Sequence, residues 1–454
     1  MNKRTVDVAI LGAGTAGLVA ARQVARLTQN YVLIDDGPLG TTCARVGCMP
    51  SKAMIQIAHD FHRRSTFGVS GIVGEAALSA DVPAVMRRVR ELRDHFTGGM
   101  VVKTLKFGER LLRGHARFLE PTLLEVNGTL VQASRVIIAT GSHPILPEAW
   151  QKYGSRILTS DTFFEQETLP RTVAVFGLGV IGLELGQAMA RLGSQVIGVA
   201  RSQHLGGISD PAVLEEAAKI LGDEMTFRRS VRGDISEENG QLILITDDYR
   251  QPVDAMIATM GRRPNINDLG LDTIGAILDA KGMPAYDLDT LQLEGLPGLY
   301  IAGDANGAYS IMHEAWDDGH TAGRNAVRET PVGVDRRTAL EIIFTDPNIV
   351  AVGRRYKSLQ EGSYVIGEVN FRDQPRALIR SENAGLLRLY ADAKSGLLLG
   401  SEMIAPAGEH FGHLLALAIQ ARQTVHDLLN MPIYHPVLEE GLKEALQAAA
   451  RKLD

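Results

Sequence analysis

Two stretches of the chain share one pattern of apolar and polar positions. The first, "VDVAILGAGTAGLVAARQVARL" at 6–27, is an apolar strand that runs into a glycine turn and then into helical periodicity. The second, "RTVAVFGLGVIGLELGQAMARLGSQVIGVARS" at 171–202, repeats that order and adds a further strand. The glycines fall at Gly12, Gly14 and Gly17, and again at Gly177, Gly179 and Gly182. This is the spacing of a dinucleotide-binding turn. One glycine makes the turn, one lets backbone approach a pyrophosphate, and one lets helix pack on strand, with the helix N-terminus facing the phosphates. One copy is weak evidence for such a site. Two copies in this context point to two dinucleotides or a duplicated domain.

The copies differ where the adenosine ribose is read. The strand "NYVLIDDG" ends in Asp35, twenty-three positions beyond Gly12, where a carboxylate meets ribose hydroxyls. The equivalent position after Gly177 is Ala200, followed by Arg201. An acid there would repel a 2′-phosphate, whereas arginine pairs with it. The first site therefore suits FAD, and the second leans to NADPH over NADH. The competing reading of Arg201 is a solvated surface cation.

Composition sets the frame for these motifs. At 454 residues the chain is too long for one core. With 45% hydrophobic and 22% charged residues and 47 glycines, it reads as an α/β protein. A net charge of −6 without a basic block gives no sign of nucleic acid. No apolar run reaches the roughly 18 residues of a membrane span. "MNKR" ahead of the first strand mimics a secretory leader, but Asp7 interrupts the apolar stretch and the glycine spacing accounts for it better, so a cytoplasmic location is expected.

The two cysteines, Cys43 and Cys48, lie in "TTCARVGCMPSK" at 41–52. A structural bridge is unusual in the cytosol, and closing so short a loop stabilises by only about 2 kcal/mol. The spacing is not that of a zinc site and no second pair exists, so no metal site is expected. Two unrelated thiols close together by chance are the bland alternative.

The order of these motifs, followed by "LYIAGDANG" at 299–307, resembles the class I pyridine nucleotide-disulfide oxidoreductases, and among them the dihydrolipoamide dehydrogenases. The likeness runs over nearly the whole chain. It implies two Rossmann-like domains, for FAD and NAD(P), plus a C-terminal α+β dimerisation domain. The expected boundaries are 1–150 with 276–336 for FAD, 151–275 for NAD(P), and 337–454 for the interface, which begins at "RTALEIIFTDPNIVAVG". The periodic stretch "HFGHLLALAIQARQTVHDLL" at 410–429 reads as a core and dimer-contact helix.

The resemblance also implies site residues. Cys43 and Cys48 match the redox pair, followed by Pro50, Ser51 and Lys52. Thr41 stands where the family has a second glycine. "GHARF" places Ala116 at the adenine, and "IIATGSHP" places Thr140 and Gly141 at the FAD. "ATMGRRPN" holds Gly261 in the link leaving the nucleotide domain. Asp304 falls at the ribityl chain, and Met312 and His313 open a helix whose N-terminal dipole favours negative charge on the reduced flavin. Glu184 pairs with Lys52 beside the site of hydride arrival, and Val180 takes the place of a bulky tyrosine gate seen in glutathione-reductase-like members.

"YHPVLEEGLKEAL" makes His435 the catalytic base and Glu440 its partner, acting on the cysteines of a second subunit. On its own that segment would mean a helix start at Pro436 with an acidic first turn. Imidazole, however, has the near-neutral pKa that thiol chemistry needs. Val437 replaces the family's threonine, and Ile433 its usual histidine.

The implied activity is a two-electron exchange among NAD(P)H, FAD, the Cys43–Cys48 disulfide and a small disulfide or dithiol, in a homodimer. A lipoyl-bearing protein is a possible partner, although the chain starts almost directly on the first strand with no lipoyl domain ahead of it. A thiolate at Cys48, just before an expected helix start, would be stabilised. Of the alternatives, mercuric reduction lacks its extra cysteine pair and a soluble transhydrogenase would not need both cysteines. An NADPH-dependent glutathione-reductase-like enzyme and a non-catalytic flavoprotein subunit are the other readings.

Overall fold

The structure is a computed structural model that describes residues 3–453. The chain divides into two compact units. The first comprises Met1–Pro50, Arg90–Ile145 and Arg262–Arg336, and the second Ser51–Val89, Leu146–Gly261 and Arg337–Asp454.

The first unit is built on a seven-stranded sheet. Strand Lys3–Leu11 lies between Tyr31–Asp35 and Thr129–Ile138, parallel to both. Side chains alternate between faces, so Val8 and Ile10 enter one core and Ala9 and Leu11 the other. A strand buried on both faces reads as a continuous apolar run, which is why "VAIL" shows no alternation. On one face, helix Thr15–Val24 packs against helix Met312–Asn325. The contact is close because Gly319 and Gly323 lie on backbone: a Cβ there would come within 2.3 Å of the Ala16 carbonyl oxygen and 2.7 Å of that of Ala20.

The second unit holds three sheets. A parallel five-stranded sheet runs in the order Thr226–Arg229, Gln195–Ala200, Thr172–Phe176, Ala255–Ala258 and Ile157–Leu158. A three-stranded antiparallel sheet spans Asp234–Val253. The third sheet has five antiparallel strands, with Asn348–Gly353, Leu398–Ala405 and Leu386–Asp392 at its centre. Helices Gly408–Gln420 and Glu439–Ala450 cover it through Phe411, Leu415, Leu442 and Ala445.

Three features depart from the sequence expectation. Residues 262–275 belong to the first unit, because Ile266, Leu269, Leu271 and Ile274 are buried in its core; the chain therefore returns at Arg262 rather than at 276. Ser51–Val89 belongs to the second unit, where Met54, Ile55, Ala58, Met86 and Val89 share a core with Phe163 and Leu185. The stretch 410–429 is two helices and not one: Arg422 takes φ +55°, and Thr424 starts Val425–Leu429 with a reciprocal cap through Asp427. No helix among the described residues is long and apolar enough to cross a membrane.

Candidate active site

In the first glycine turn, Gly12 has φ +103°, and a Cβ there would lie 2.3 Å from the Ala139 carbonyl oxygen. Gly17 is equally closed, with the Gly12 oxygen 1.8 Å from its would-be Cβ. Gly14 is different: its Cβ would meet nothing within 4 Å. Gly14 is also the N-cap of Thr15–Val24 and supplies no side chain to cap it. The open space lies against uncapped backbone N–H groups, which is a cradle for an anion. The second turn repeats this: Gly177 and Gly182 are closed by backbone and by Thr259, whereas Gly179 faces open space at the start of Val180–Arg191.

Asp35 and the Ala200–Arg201 pair sit in different surroundings. Asp35 accepts a hydrogen bond from the Ala13 amide at 2.7 Å and pairs with Arg113 at 3.0 Å. Burial pushes its carboxyl up, against the lowering effect of that amide and of Arg113. Ala200 is half-buried at the end of its strand. Arg201 is exposed, without an ion-pair partner among the described residues.

Of the other expected residues, Thr140, Asp304, Met312 and Ala116 lie in the first unit and Gly261 closes a segment of the second. Thr140 lies beside Gly12, and its Oγ1 is buried with no hydrogen-bond partner among the described residues. A buried hydroxyl left without a partner fits a polar ligand. Asp304 accepts from Ser142 Oγ at 2.6 Å, and Arg262 donates to that same hydroxyl at 2.8 Å. Met312 is exposed at the start of its helix. Ala116 is buried at the head of strand Ala116–Glu120. Gly261 takes φ +108°. The open cradle, the Asp35 carboxylate and the orphan hydroxyl suit FAD.

The cysteines sit at two helix starts. Cys43 lies in the first turn of Thr42–Val46, and Cys48 is itself the first residue of Cys48–His62 rather than the residue before it. Both are half-buried. Between them Gly47 lies on Cys43, whose Cα would be 3.1 Å from an added Cβ. Thr41 adopts φ +62°, ψ 147°, and its hydroxyl caps the short helix by accepting from the Ala44 amide.

Helix Cys48–His62 also carries Lys52, whose ammonium donates to both oxygens of Glu184, at 2.9 and 2.8 Å. Glu184 is 3% exposed and accepts a third bond from the Phe344 amide at 3.0 Å. Lys52 also lies over the Phe344 ring, 4.8 Å from its centre. Val180 is 39% exposed at the head of Val180–Arg191.

Near the C-terminus, His435 Nδ1 lies 2.9 Å from Glu440 Oε1, and Glu440 Oε2 accepts from the Val437 amide at 3.1 Å. The hydrogen bond to His435, with that amide, holds the Glu440 carboxyl below its ordinary range. The His435 side chain is 74% exposed, and its Nε2 makes no hydrogen bond among the described residues. That leaves one ring nitrogen oriented and the other open, the arrangement of a proton carrier. Sequence reasoning missed Phe344, Ser142, Arg262 and Arg113 as supports. Arg262 lies inside the quoted "GRRPN", but nothing in the pattern marks Phe344.

Comparison with known proteins agrees with this geometry. Residues 6–319 match the pyridine nucleotide-disulphide oxidoreductase family, and residues 340–446 match its dimerisation domain. The chain belongs to this family. It is 31% identical to a dihydrolipoyl dehydrogenase of Geobacillus stearothermophilus over 98% of this chain and 96% of that one. It is 27% identical to a mercuric reductase of Lysinibacillus sphaericus, over 98% and 83%. In fold it is similar to the HOCl-induced flavoprotein disulfide reductase RclA from Escherichia coli, with a TM-score of 0.86 at 20% identity, covering 98% of this chain and 99% of that one. The chain is accordingly a pyridine nucleotide-disulfide oxidoreductase that uses FAD and NAD(P)H, and the match of residues 340–446 to the family's dimerisation domain supports homodimer formation.

Proposed function

We propose that the protein is a dihydrolipoyl-dehydrogenase-like enzyme of the cytosol, exchanging electrons between NAD(P)H and a small disulfide or dithiol through Cys43 and Cys48. The observation that carries this reading is the His435–Glu440 pair, with one imidazole nitrogen bound and the other open. The small Val180 supports the lipoamide side of the family, and the relatives named dihydrolipoyl dehydrogenase point the same way. In this reading the domains follow the family's division into FAD, NAD(P) and interface parts, the base of one subunit serves the cysteines of the other, and a lipoyl-bearing protein is a candidate partner.

In dithiol oxidation, His435 takes a proton from a substrate thiol. The resulting thiolate attacks Cys43 of the oxidised pair; a bond forms from substrate sulfur to Cys43 Sγ, and Cys48 leaves as a thiolate. His435, once its proton has passed to solvent, deprotonates the second thiol. That thiolate attacks the first substrate sulfur, closes the substrate disulfide and releases Cys43 as a thiolate. Bound FAD supplies the two-electron relay between the reduced cysteine pair and the nicotinamide nucleotide. Glu184, fixed by the Phe344 amide, holds the Lys52 ammonium in one place. Gly14 and Gly179 leave room for the two pyrophosphates.

An NADPH-dependent low-molecular-weight disulfide reductase is the second reading, favoured by the exposed Arg201, which has no ion-pair partner among the described residues. Anaerobic reduction of the holoenzyme by NADH and by NADPH, followed by mixing with lipoamide or glutathione disulfide, separates the two. The expected result is rapid reoxidation by lipoamide and loss of it in Cys43→Ser. Full disulfide turnover in Cys43→Ser would overturn the mechanism. Reoxidation by glutathione disulfide alone would favour the second reading.

A further inference from the structure

We propose that Gln374 is a positioning residue for the proton carrier His435, an inference that rests on the reading of His435 above. Gln374 lies between the short turn Phe371–Asp373 and helix Pro375–Arg380, and only 3% of it is exposed. Both ends of its amide are used. Oε1 accepts from the Ala377 amide at 2.7 Å and caps the helix, while Nε2 donates to the Val437 carbonyl at 2.8 Å. Val437 in turn donates its own amide to Glu440, whose other oxygen holds His435.

The residue that follows the His435–Pro436 peptide is thus held from both sides. Its carbonyl is fixed from the buried Gln374, and its N–H by the carboxylate that orients the imidazole. Gly441 lets this assembly close, since a Cβ there would lie 3.0 Å from the Phe371 ring and 3.8 Å from Gln374 Cγ. An apolar side chain of the same size would fill this space without needing partners. What the amide adds is a fixed geometry for the turn that carries the base, and small misplacements of a reacting group cost large factors in rate.

The test separates the donor from the cap. Gln374→Glu keeps the acceptor for Ala377 but loses the donor to Val437, whereas Gln374→Met keeps only the bulk. In the holoenzyme, Q374E is expected to lower kcat for dihydrolipoamide oxidation roughly tenfold. FAD content and anaerobic flavin reduction by NAD(P)H should stay unchanged, whereas the thermal midpoint should fall, because the buried carboxylate leaves the Val437 carbonyl without its donor. Because a protonated carboxyl can donate, the loss should deepen as pH rises from about 5 to about 8, which a purely structural role does not predict. In an E440Q background the same change should cost less than about twofold, since the contact acts through Glu440.

Wild-type turnover by Q374E at every pH, or a loss fully additive with E440Q, would overturn the proposal. H435A distinguishes this from failure of the underlying reading. If H435A turns over normally, the base is misassigned; if H435A is inactive and Q374E is not impaired, only the role of Gln374 falls. Q374M carries the same turnover test should Q374E yield no holoenzyme.

Discussion

Thr41 holds a backbone conformation, φ +62° and ψ 147°, that is populated almost only by glycine. Such a residue costs on the order of 1–3 kcal/mol. Its hydroxyl returns part of this by capping Thr42–Val46, but glycine at an N-cap is worse than threonine by only a few tenths of a kcal/mol. The greater freedom of glycine in the unfolded chain takes back roughly 0.4–1 kcal/mol. Strain relief is the largest of these terms, so Thr41→Gly should stabilise the holoenzyme by about 1 kcal/mol in urea unfolding; a loss of stability would show that the cap matters more than the strain. A second single-residue prediction concerns charge. Arg201 has no ion-pair partner among the described residues and stands next to Ala200, where an acid would mark NADH. Arg201→Ala should lower kcat/KM for NADPH about tenfold relative to NADH, the worth of one charge-assisted contact. An unchanged ratio would return Arg201 to the status of a solvated cation.

At the scale of elements, each fingerprint contains two kinds of glycine. Gly17 is closed by backbone, and Gly14 faces open space with φ −76°, which alanine accepts. Gly14→Ala should therefore keep its fold and lose FAD, seen as colourless protein with native circular dichroism. Gly17→Ala should lose the fold itself or cost about 3 kcal/mol, since its Cβ would overlap the Gly12 carbonyl. A yellow, stable Gly14→Ala would remove the pyrophosphate from this turn. The same distinction shows what the sequence could reveal. The strand–turn–helix repeats were legible because apolar runs and glycine spacing answer to one constraint, the approach of a phosphate to backbone. The return of the chain at Arg262 was not, because Ile266, Leu269 and Leu271 fall in irregular segments without a period of 2 or 3.6. The break at Arg422 was hidden for a different reason: apolar spacing continues through 410–429, and only the cap between Thr424 and Asp427 interrupts it. Phe344 was invisible in principle, since it supports Glu184 with a backbone amide that every residue but proline carries.

Across the whole molecule, stability should depend on acid through a charged cluster around Arg191, which takes in two histidines of the helix that begins at Cys48. Arg191, 3% exposed, bonds to Glu224 at 2.7 Å and to Asp346 at 2.9 Å, and His59 and His62 of helix Cys48–His62 share this charged environment. Burial holds both imidazoles below the ordinary value of 6.5; Arg191 opposes their protonation, whereas Glu224 and Asp346 favour it. A histidine with a depressed folded-state pKa takes its proton more readily unfolded, so its contribution is present above pH 6.5 and is lost as pH falls through the folded-state value. Asp346 adds a lower window: burial raises it, but Arg191, His59 and His62 together hold it below 3.8, so its contribution is lost only in stronger acid. The holoenzyme's thermal midpoint, at fixed protein and FAD concentration, should fall as pH drops from about 7 to about 5. His59→Leu, which cannot take a proton, should flatten that slope while leaving the order of the carboxylate steps unchanged. Because Met54, Ile55 and Ala58 on the same helix enter the core shared with Phe163 and Leu185, the proton bound at His59 is linked to the packing of that whole unit. A midpoint that falls equally steeply in His59→Leu and wild type would place the acid sensitivity elsewhere.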